Sequence, residues 1–361
     1  MAASWLSRTR YVCDTCASHY EIETNRFQCD CGDVLNLDFE VGTLPRHLEG
    51  RGGSIDRYHE AAPWRGSPAP IVDLGVRRTP LIELTRGVHA KCDFLLPTGS
   101  FKDRGAQVLI GVAQELGAVR VVVDSSGNAG AAVAAHCAGI GLSCTVVVPD
   151  TAPLAKLKQS GLYGATVLEV DGGREAVTAA ATDLALEAGT FYASHVTNPF
   201  FLEGTKAWAF EVWEQLGDAP DQVVMSVGNG SMLLGAHAGF TYLFEQGLVS
   251  RIPSIIAVQA AGWSSLTHRG PVDEPARLAD GIMIKSPRLL DQMHRALAAS
   301  NGKVVVVDDQ AIASAHEDLL HRGIWVEPTA AAAWAGIREL GIRDDGRMVL
   351  NLSGAGFKAS V

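Results

Sequence analysis

Positive charge is in short supply in this chain: 30 Lys plus Arg stand against 40 Asp plus Glu, a formal net charge of −10. Binding to nucleic acid through its phosphates requires the opposite excess, so a polyanion-binding role is excluded as the main function. Long apolar runs are missing too. Although 47% of residues are hydrophobic, no uninterrupted stretch approaches the roughly 18–20 residues that span a bilayer. The opening Met1-Ala-Ala-Ser-Trp-Leu-Ser-Arg8 lacks the charged and then apolar regions of a secretory signal, so a cytoplasmic location is expected. Cysteine is too dilute for a disulfide scaffold, with seven in 361 residues. No internal repeat is visible. What remains is the profile of a folded globular chain, and the length gives a prior of about two domains at roughly 100–200 residues each.

Four of the seven cysteines crowd into one short segment as Cys13-x2-Cys16 and Cys29-x-Cys31-Gly32. Residues 1–42 therefore read as a small ribbon. Two Cys pairs on two tight turns supply four thiolates to a tetrahedral Zn²⁺, and Gly32 lets the second turn wrap back toward the ion. The second pair is one residue shorter than the usual C-x2-C, and a metal-free ribbon with reduced thiols is the alternative. Residues 43–80 are rich in Gly, Pro, Arg and His without periodicity, as expected of an arm draped over the main body.

From about residue 100 the chain alternates between Ala- and Leu-rich helical stretches and short β-branched runs, the pattern of βαβ units around parallel sheets. Strands are expected at 119–124, 144–149, 165–170, 221–227, 255–259, 304–307 and 348–352. Each carries few charges, as a sheet covered on both faces demands. The fold class is α/β.

Open α/β sheets bind ligands where strands end and helices begin, because helix N-termini present unpaired N–H groups and a positive dipole end. Four junctions have unusual composition. In Pro97-Thr98-Gly99-Ser100-Phe101-Lys102-Asp103-Arg104-Gly105, a lysine falls in the first turn of an apolar helix. The helix dipole and the flanking Phe101 both disfavour its charged form, which is what an imine-forming amine needs; a solvated Lys102 paired with Asp103 is the plain alternative. Ser125-Ser126-Gly127-Asn128-Ala129-Gly130 joins a strand to a helix, with small residues and N–H groups suited to a carboxylate, or simply an N-capped helix after a Gly turn. Gly228-Asn229-Gly230-Ser231 makes a phosphate cradle. Leu233 stands where a dinucleotide fingerprint needs Gly and no Gly-Lys-Ser/Thr follows, so a lone phosphate on a smaller cofactor fits better than NAD or a nucleoside triphosphate. Asn351-Leu352-Ser353-Gly354-Ala355-Gly356 offers a hydroxyl that could address a ring nitrogen, although alone it is no more than a turn.

An imine-forming lysine, a carboxylate loop, a phosphate cradle and a hydroxyl for a pyridine nitrogen are together what a pyridoxal 5′-phosphate site requires. With these motifs in this order, the chain resembles the fold-type II pyridoxal-phosphate enzymes, the tryptophan-synthase-β group, and within it the threonine synthase family. The family's P-T-G-S-F-K-D-R-G is intact at 97–105, its S-G-N at 126–128, its G-N-G at 228–230 and its [ST]-G-x-G-[LF]-K at 353–358. Asn198-Pro-Phe-Phe-Leu-Glu-Gly204 and Val326-Glu-Pro-Thr-Ala-Ala331 fit as well.

The resemblance implies that Lys102 carries the cofactor covalently and shuttles protons at Cα and Cβ. It implies that Asn128 bonds the phenolic oxygen, that Gly228, Asn229, Gly230 and Ser231 hold the cofactor phosphate, and that Ser353 meets the pyridine nitrogen. Ser126, Gly127, Asn128 and Ala129 would hold the substrate carboxylate. A neutral hydroxyl at the ring nitrogen favours elimination or replacement over transamination. The implied reaction is loss of phosphate from O-phospho-L-homoserine and hydration at Cβ to L-threonine; a threonine or serine dehydratase, or β-replacement on an activated serine, is the alternative. The pattern departs at Phe201, where the family carries an Arg that contacts the leaving phosphate, at Ala355, and at Leu96 in place of the usual Asn. His195, Lys206 or Arg104 are the nearby cations that would have to compensate. In architecture the resemblance implies two open α/β domains with mostly parallel sheets, 43–87 with 201–361 as the large one and 88–200 as the small one. The cofactor lies between them, and a homodimer is the expected assembly.

Overall fold

Val121, Val122 and Val123 are fully buried, as are Val146, Val147 and Val148, and runs of this kind with no polar alternation can pair only inside a sheet covered on both faces. The computed structural model describes residues 5–267, 274–341 and 346–358. In chain order the elements are β1 (Arg10–Val12), β2 (His19–Tyr20), β3 (Asn36–Asp38), β4 (Leu81–Thr85), β5 (Val88–Lys91), α1 (Lys102–Glu115), β6 (Arg120–Val123), α2 (Asn128–Gly139), β7 (Ser143–Pro149), α3 (Leu154–Leu162), β8 (Thr166–Val170), α4 (Arg174–Ala185) and β9 (Thr190–Tyr192). There follow α5 (Pro199–Leu216), β10 (Gln222–Ser226), α6 (Ser231–Glu245), β11 (Ser254–Ala260), α7 (Leu290–Ala299), β12 (Lys303–Val307), α8 (Asp309–His321), α9 (Pro328–Leu340) and β13 (Met348–Asn351). The α/β class and all seven expected strands are present, each within one or two residues of its expected ends.

Two compact units divide the chain, Met1–Arg77 with Lys102–Thr205, and Arg78–Phe101 with Lys206–Val361. The first holds a parallel four-stranded sheet in the order β8-β7-β6-β9 and a separate antiparallel ribbon in the order β2-β1-β3. Its helix α2 is Ala-rich, which suits both helix propensity and close packing, and every residue from Ala129 to Cys137 is buried. The second unit holds a six-stranded sheet in the order β12-β11-β10-β13-β5-β4, parallel except for the β4–β5 hairpin at its edge.

The units divide the chain differently from the expected 1–42, 43–87 with 201–361, and 88–200: residues 1–42 and 201–205 also group with the first unit, and two further shifts have a local cause. Residues 43–77 group with the first unit because the arm lies on α1: Val72 donates its N–H to the Gln107 carbonyl at 3.0 Å, and a Cβ on Gly111 would sit 2.0 Å from the Pro70 carbonyl oxygen. Residues 88–101 group with the second because β5 pairs in parallel with β13, Val88 to Lys91 against Met348 to Asn351.

Candidate active site

In the first unit, Lys102 is the opening residue of α1, so its side chain leaves the helix end at which the N–H groups are unpaired. Its Nζ lies 5.6 Å from the centroid of the Phe201 ring. That ring is fully buried at the start of α5, and two glycines explain how it gets so close. A Cβ on Gly105 would fall 2.4 Å from the Phe201 ring, and one on Gly204 would fall 2.0 Å from the Arg104 carbonyl oxygen. The two helix starts therefore touch through backbone. His195 completes the group: its ring stands edge-on to Phe201 with centroids 6.1 Å apart, and its Nδ1 is buried without a hydrogen-bond partner. Burial, with Lys102 and Arg174 as nearby positive charges, holds the His195 pKa well below the usual imidazole range, so it is neutral at physiological pH.

The strand β6 delivers the neighbouring loop. Directly after it comes Asp124, whose buried carboxylate and carbonyl accept hydrogen bonds from the Arg174 guanidinium, with a further bond from Thr178 at 3.2 Å. Burial raises the Asp124 pKa while Arg174 opposes the rise. This pair fixes the strand end to α4, and Ser125, Ser126 and Gly127 then lead into Asn128 at the head of α2. A Cβ on Gly130 would sit 2.0 Å from the Ser125 carbonyl oxygen, so the loop is drawn tightly over the helix start. The sequence reading did not single out Arg174; the one available signal was an acidic residue closing an otherwise apolar strand.

In the second unit, Gly228 to Ser231 link β10 to α6. Gly230 adopts φ +86°, and a Cβ there would lie 2.3 Å from the Met293 sulfur; one on Gly228 would lie 3.0 Å from the Gly281 carbonyl oxygen. The left-handed φ at Gly230 favours glycine and Gly228 leaves little room for a side chain, and the result is bare backbone at a helix N-terminus, the construction of an anion cradle. Ser353 follows β13 on a short extension: its carbonyl accepts from the Phe101 N–H at 2.8 Å, while its own hydroxyl is buried with no partner. Next to it, a Cβ on Gly354 would fall 2.3 Å from a Glu327 carboxylate oxygen, and the Glu327 N–H donates to the Gly354 carbonyl at 2.9 Å. Glu327, at the N-cap of α9, thus braces the Ser353 turn. The second unit offers an orphaned buried hydroxyl and a glycine cradle, and the first an amine at a helix head; a phosphorylated pyridine aldehyde engages groups of each kind, so the residues of each unit, taken by itself, fit that cofactor.

A model of the family described as pyridoxal-phosphate dependent enzyme matches residues 72–354. The chain belongs to that family. It is 32% identical over 325 residues to the threonine synthase of Mycobacterium tuberculosis, covering 85% of this chain and 88% of the relative. It is also 32% identical to the threonine synthase of Methanocaldococcus jannaschii over 374 aligned residues, 96% of this chain and 92% of the relative. Among solved structures, maize serine racemase superposes with a TM-score of 0.67 at 22% identity, over 78% of this chain and 88% of that one, which shows the shared fold. This protein is therefore a pyridoxal-phosphate-dependent lyase of the threonine synthase family, with the fold-type II architecture. Among the described residues no helix is long and apolar enough to cross a membrane.

The remaining residues expected at a site are Cys13, Cys16, Cys29 and Cys31. The ribbon brings all four together, with their sulfurs within 4.8 Å of one another. Lys206 and Arg104, considered as replacements for a missing arginine, are both buried, and neither is a surface cation.

Proposed function

We propose that the protein is a threonine synthase, eliminating phosphate from O-phospho-L-homoserine and adding water at Cβ to give L-threonine. The observation that carries this reading is the 32–36% identity to threonine synthases over 79–96% of the chain, with the lysine, cradle and hydroxyl motifs intact. When bound, the cofactor supplies an electron sink that makes the substrate's Cα and Cβ protons labile. Lys102 would hold the cofactor covalently and, as a free amine, would carry protons between Cα and Cβ. Ser126, Gly127, Asn128 and Ala129 hold the substrate carboxylate at the α2 N-terminus, and Asn128 also bonds the phenolic oxygen. Gly228, Asn229, Gly230 and Ser231 hold the cofactor phosphate, and Ser353 meets the ring nitrogen through a neutral hydroxyl, which keeps the chemistry to elimination and addition. The homodimer and the cytoplasm are the expected assembly and location.

A second reading, a threonine or serine dehydratase, is favoured by Phe201. Where the family's segment carries an arginine for the leaving phosphate, this chain has a buried phenyl ring, and a ring cannot replace a bidentate cation. A hydroxide leaving group needs no such clamp. The two readings separate in one assay of the holoenzyme. The synthase reading expects phosphate and threonine in equal amounts from O-phospho-L-homoserine. Release of ammonia and a 2-oxo acid from L-threonine or L-serine, with no phosphate from the phosphorylated substrate, overturns it. Borohydride reduction followed by peptide mapping is expected to label Lys102, and a label elsewhere would remove the assignment of that residue.

A further inference from the structure

Two turns of the N-terminal ribbon are built alike. In the first, the Cys13 N–H donates to the Ser18 carbonyl at 3.0 Å and the Ala17 N–H to the Cys13 carbonyl at 2.9 Å. In the second, the Cys29 N–H donates to the Asp33 carbonyl at 3.0 Å and the Gly32 N–H to the Cys29 carbonyl at 2.9 Å. Each turn places a left-handed residue directly after its second cysteine, Ala17 at φ +57° and Gly32 at φ +89°. For alanine this conformation is unfavourable, and it persists only where surrounding interactions require it. The C-x-C pair thus makes the same knuckle as the C-x2-C pair with one residue fewer.

The four sulfurs face one another across these turns, Cys13 to Cys31 at 3.6 Å and Cys16 to Cys29 at 3.4 Å. A disulfide would need about 2.05 Å, whereas four thiolates around zinc at about 2.3 Å stand about 3.8 Å apart. The Tyr20 hydroxyl lies 3.2 Å from the Cys29 sulfur while accepting the Asp30 N–H at 3.2 Å, and the Arg26 guanidinium caps the Tyr20 ring at 4.3 Å. This is the outer hydrogen-bonding layer that fixes a metal-bound thiolate.

We propose that Cys13, Cys16, Cys29 and Cys31 bind one Zn²⁺ as a closed structural site, and that the ribbon it closes buttresses the wall beside Lys102. The buttress is a chain of rings. Tyr11 of β1 packs edge-on against Phe200 at 6.1 Å, and Phe27, between the two knuckles, packs against Tyr192 at 5.4 Å. Phe200 is the neighbour of Phe201, whose ring faces the Lys102 amine; Tyr192 lies beside Asp124, which opens the loop to Asn128. With all four positions filled by thiolate the ion has no open coordination position, so its role is to hold shape and not to activate water.

The test uses the full-length holoprotein. Elemental analysis is expected to find about one zinc per chain, replaceable by Co²⁺ with thiolate-to-metal charge-transfer absorption. Cys16→Ser or Cys31→Ser is expected to lower the metal content severalfold. Stoichiometric release of zinc from the unmodified protein by a mercurial thiol reagent gives the same answer without a substitution. Protein that takes up neither Zn²⁺ nor Co²⁺ on titration, or a Cys16–Cys29 or Cys13–Cys31 disulfide found by mass spectrometry, overturns the metal site. For the buttress, metal-stripped protein is expected to lose amide-exchange protection at least tenfold around Tyr192 and Phe200, with β10 and β11 unchanged. Equal protection with and without metal overturns that half of the proposal.

Discussion

At Phe201 an apolar ring stands where a threonine synthase is expected to grip a phosphate, and the surroundings have adjusted to it. The ring fills the space that Gly105 leaves open and shares the neighbourhood of Lys102 with a neutral His195. Phe201→Arg puts a guanidinium near the leaving group, so KM for O-phospho-L-homoserine should fall about tenfold, consistent with a charge-assisted bond worth about 1.5–3 kcal/mol. The same change places an unpaired cation where a ring was packed, and the substrate-free protein should melt lower. Steady-state kinetics and a melting curve measure the two effects. An unchanged KM would mean that the leaving group does not approach position 201. That Lys102, Gly228 to Ser231 and Ser353 fall where elements begin or end was legible in the sequence because each sits in a short motif beside a periodic stretch. The clustering of His195 and Phe201 around Lys102 was not, since it depends on a contact between helix starts about one hundred residues apart.

On the scale of elements, the sheet strands and the long helices announced themselves through apolar runs and Ala-rich stretches. The arm of residues 43–77 showed only its lack of period, and its partner could not be read. Gly111 identifies that partner: α1 passes so near the backbone at Pro70 that a methyl group has nowhere to go. Gly111→Ala should therefore destabilise by roughly 1–3 kcal/mol even though alanine is the better helix former, because the obstacle is a carbonyl and not a side chain. Denaturant unfolding checks the magnitude, and proteolysis should cut the arm before the sheets. A neutral or stabilising effect would show that the arm does not rest on α1. The β4–β5 hairpin also escaped the sequence reading. Its strands are joined by two residues, Arg86 and Gly87 at φ +77°, and its pairing with β13 spans some 260 residues of sequence.

For the whole molecule, acid is the perturbation that reads out the interior. Burial lowers the pKa of His136 to about 4, and those of His195 and His237 also lie below the ordinary value. The folded state therefore binds fewer protons than the unfolded chain once the pH drops under the unfolded imidazole value of about 6.5. Their stabilisation is complete above that pH and declines as the pH falls from about 6.5 toward 4, by up to about 1.4 kcal/mol per pH unit for each histidine. Asp73, Glu60, Asp218 and Asp318 have lowered pKa values, so their contribution has the same sign and disappears at lower pH still. Melting temperatures should fall steadily over this window, and His136→Gln should flatten the slope while lowering stability at neutral pH. A flat profile between pH 6.5 and 4.5 would contradict the buried neutral histidines.

The placement of β13 has a consequence for biogenesis. A strand near residue 350 lies between β10 and β5, so while the polypeptide is still emerging from the ribosome the hairpin made some 260 residues earlier has no neighbour to dock on. The sheet of the second unit can be zipped shut only once residues 348–351 have been made, and until then chaperones would have to shield two unmated strand edges.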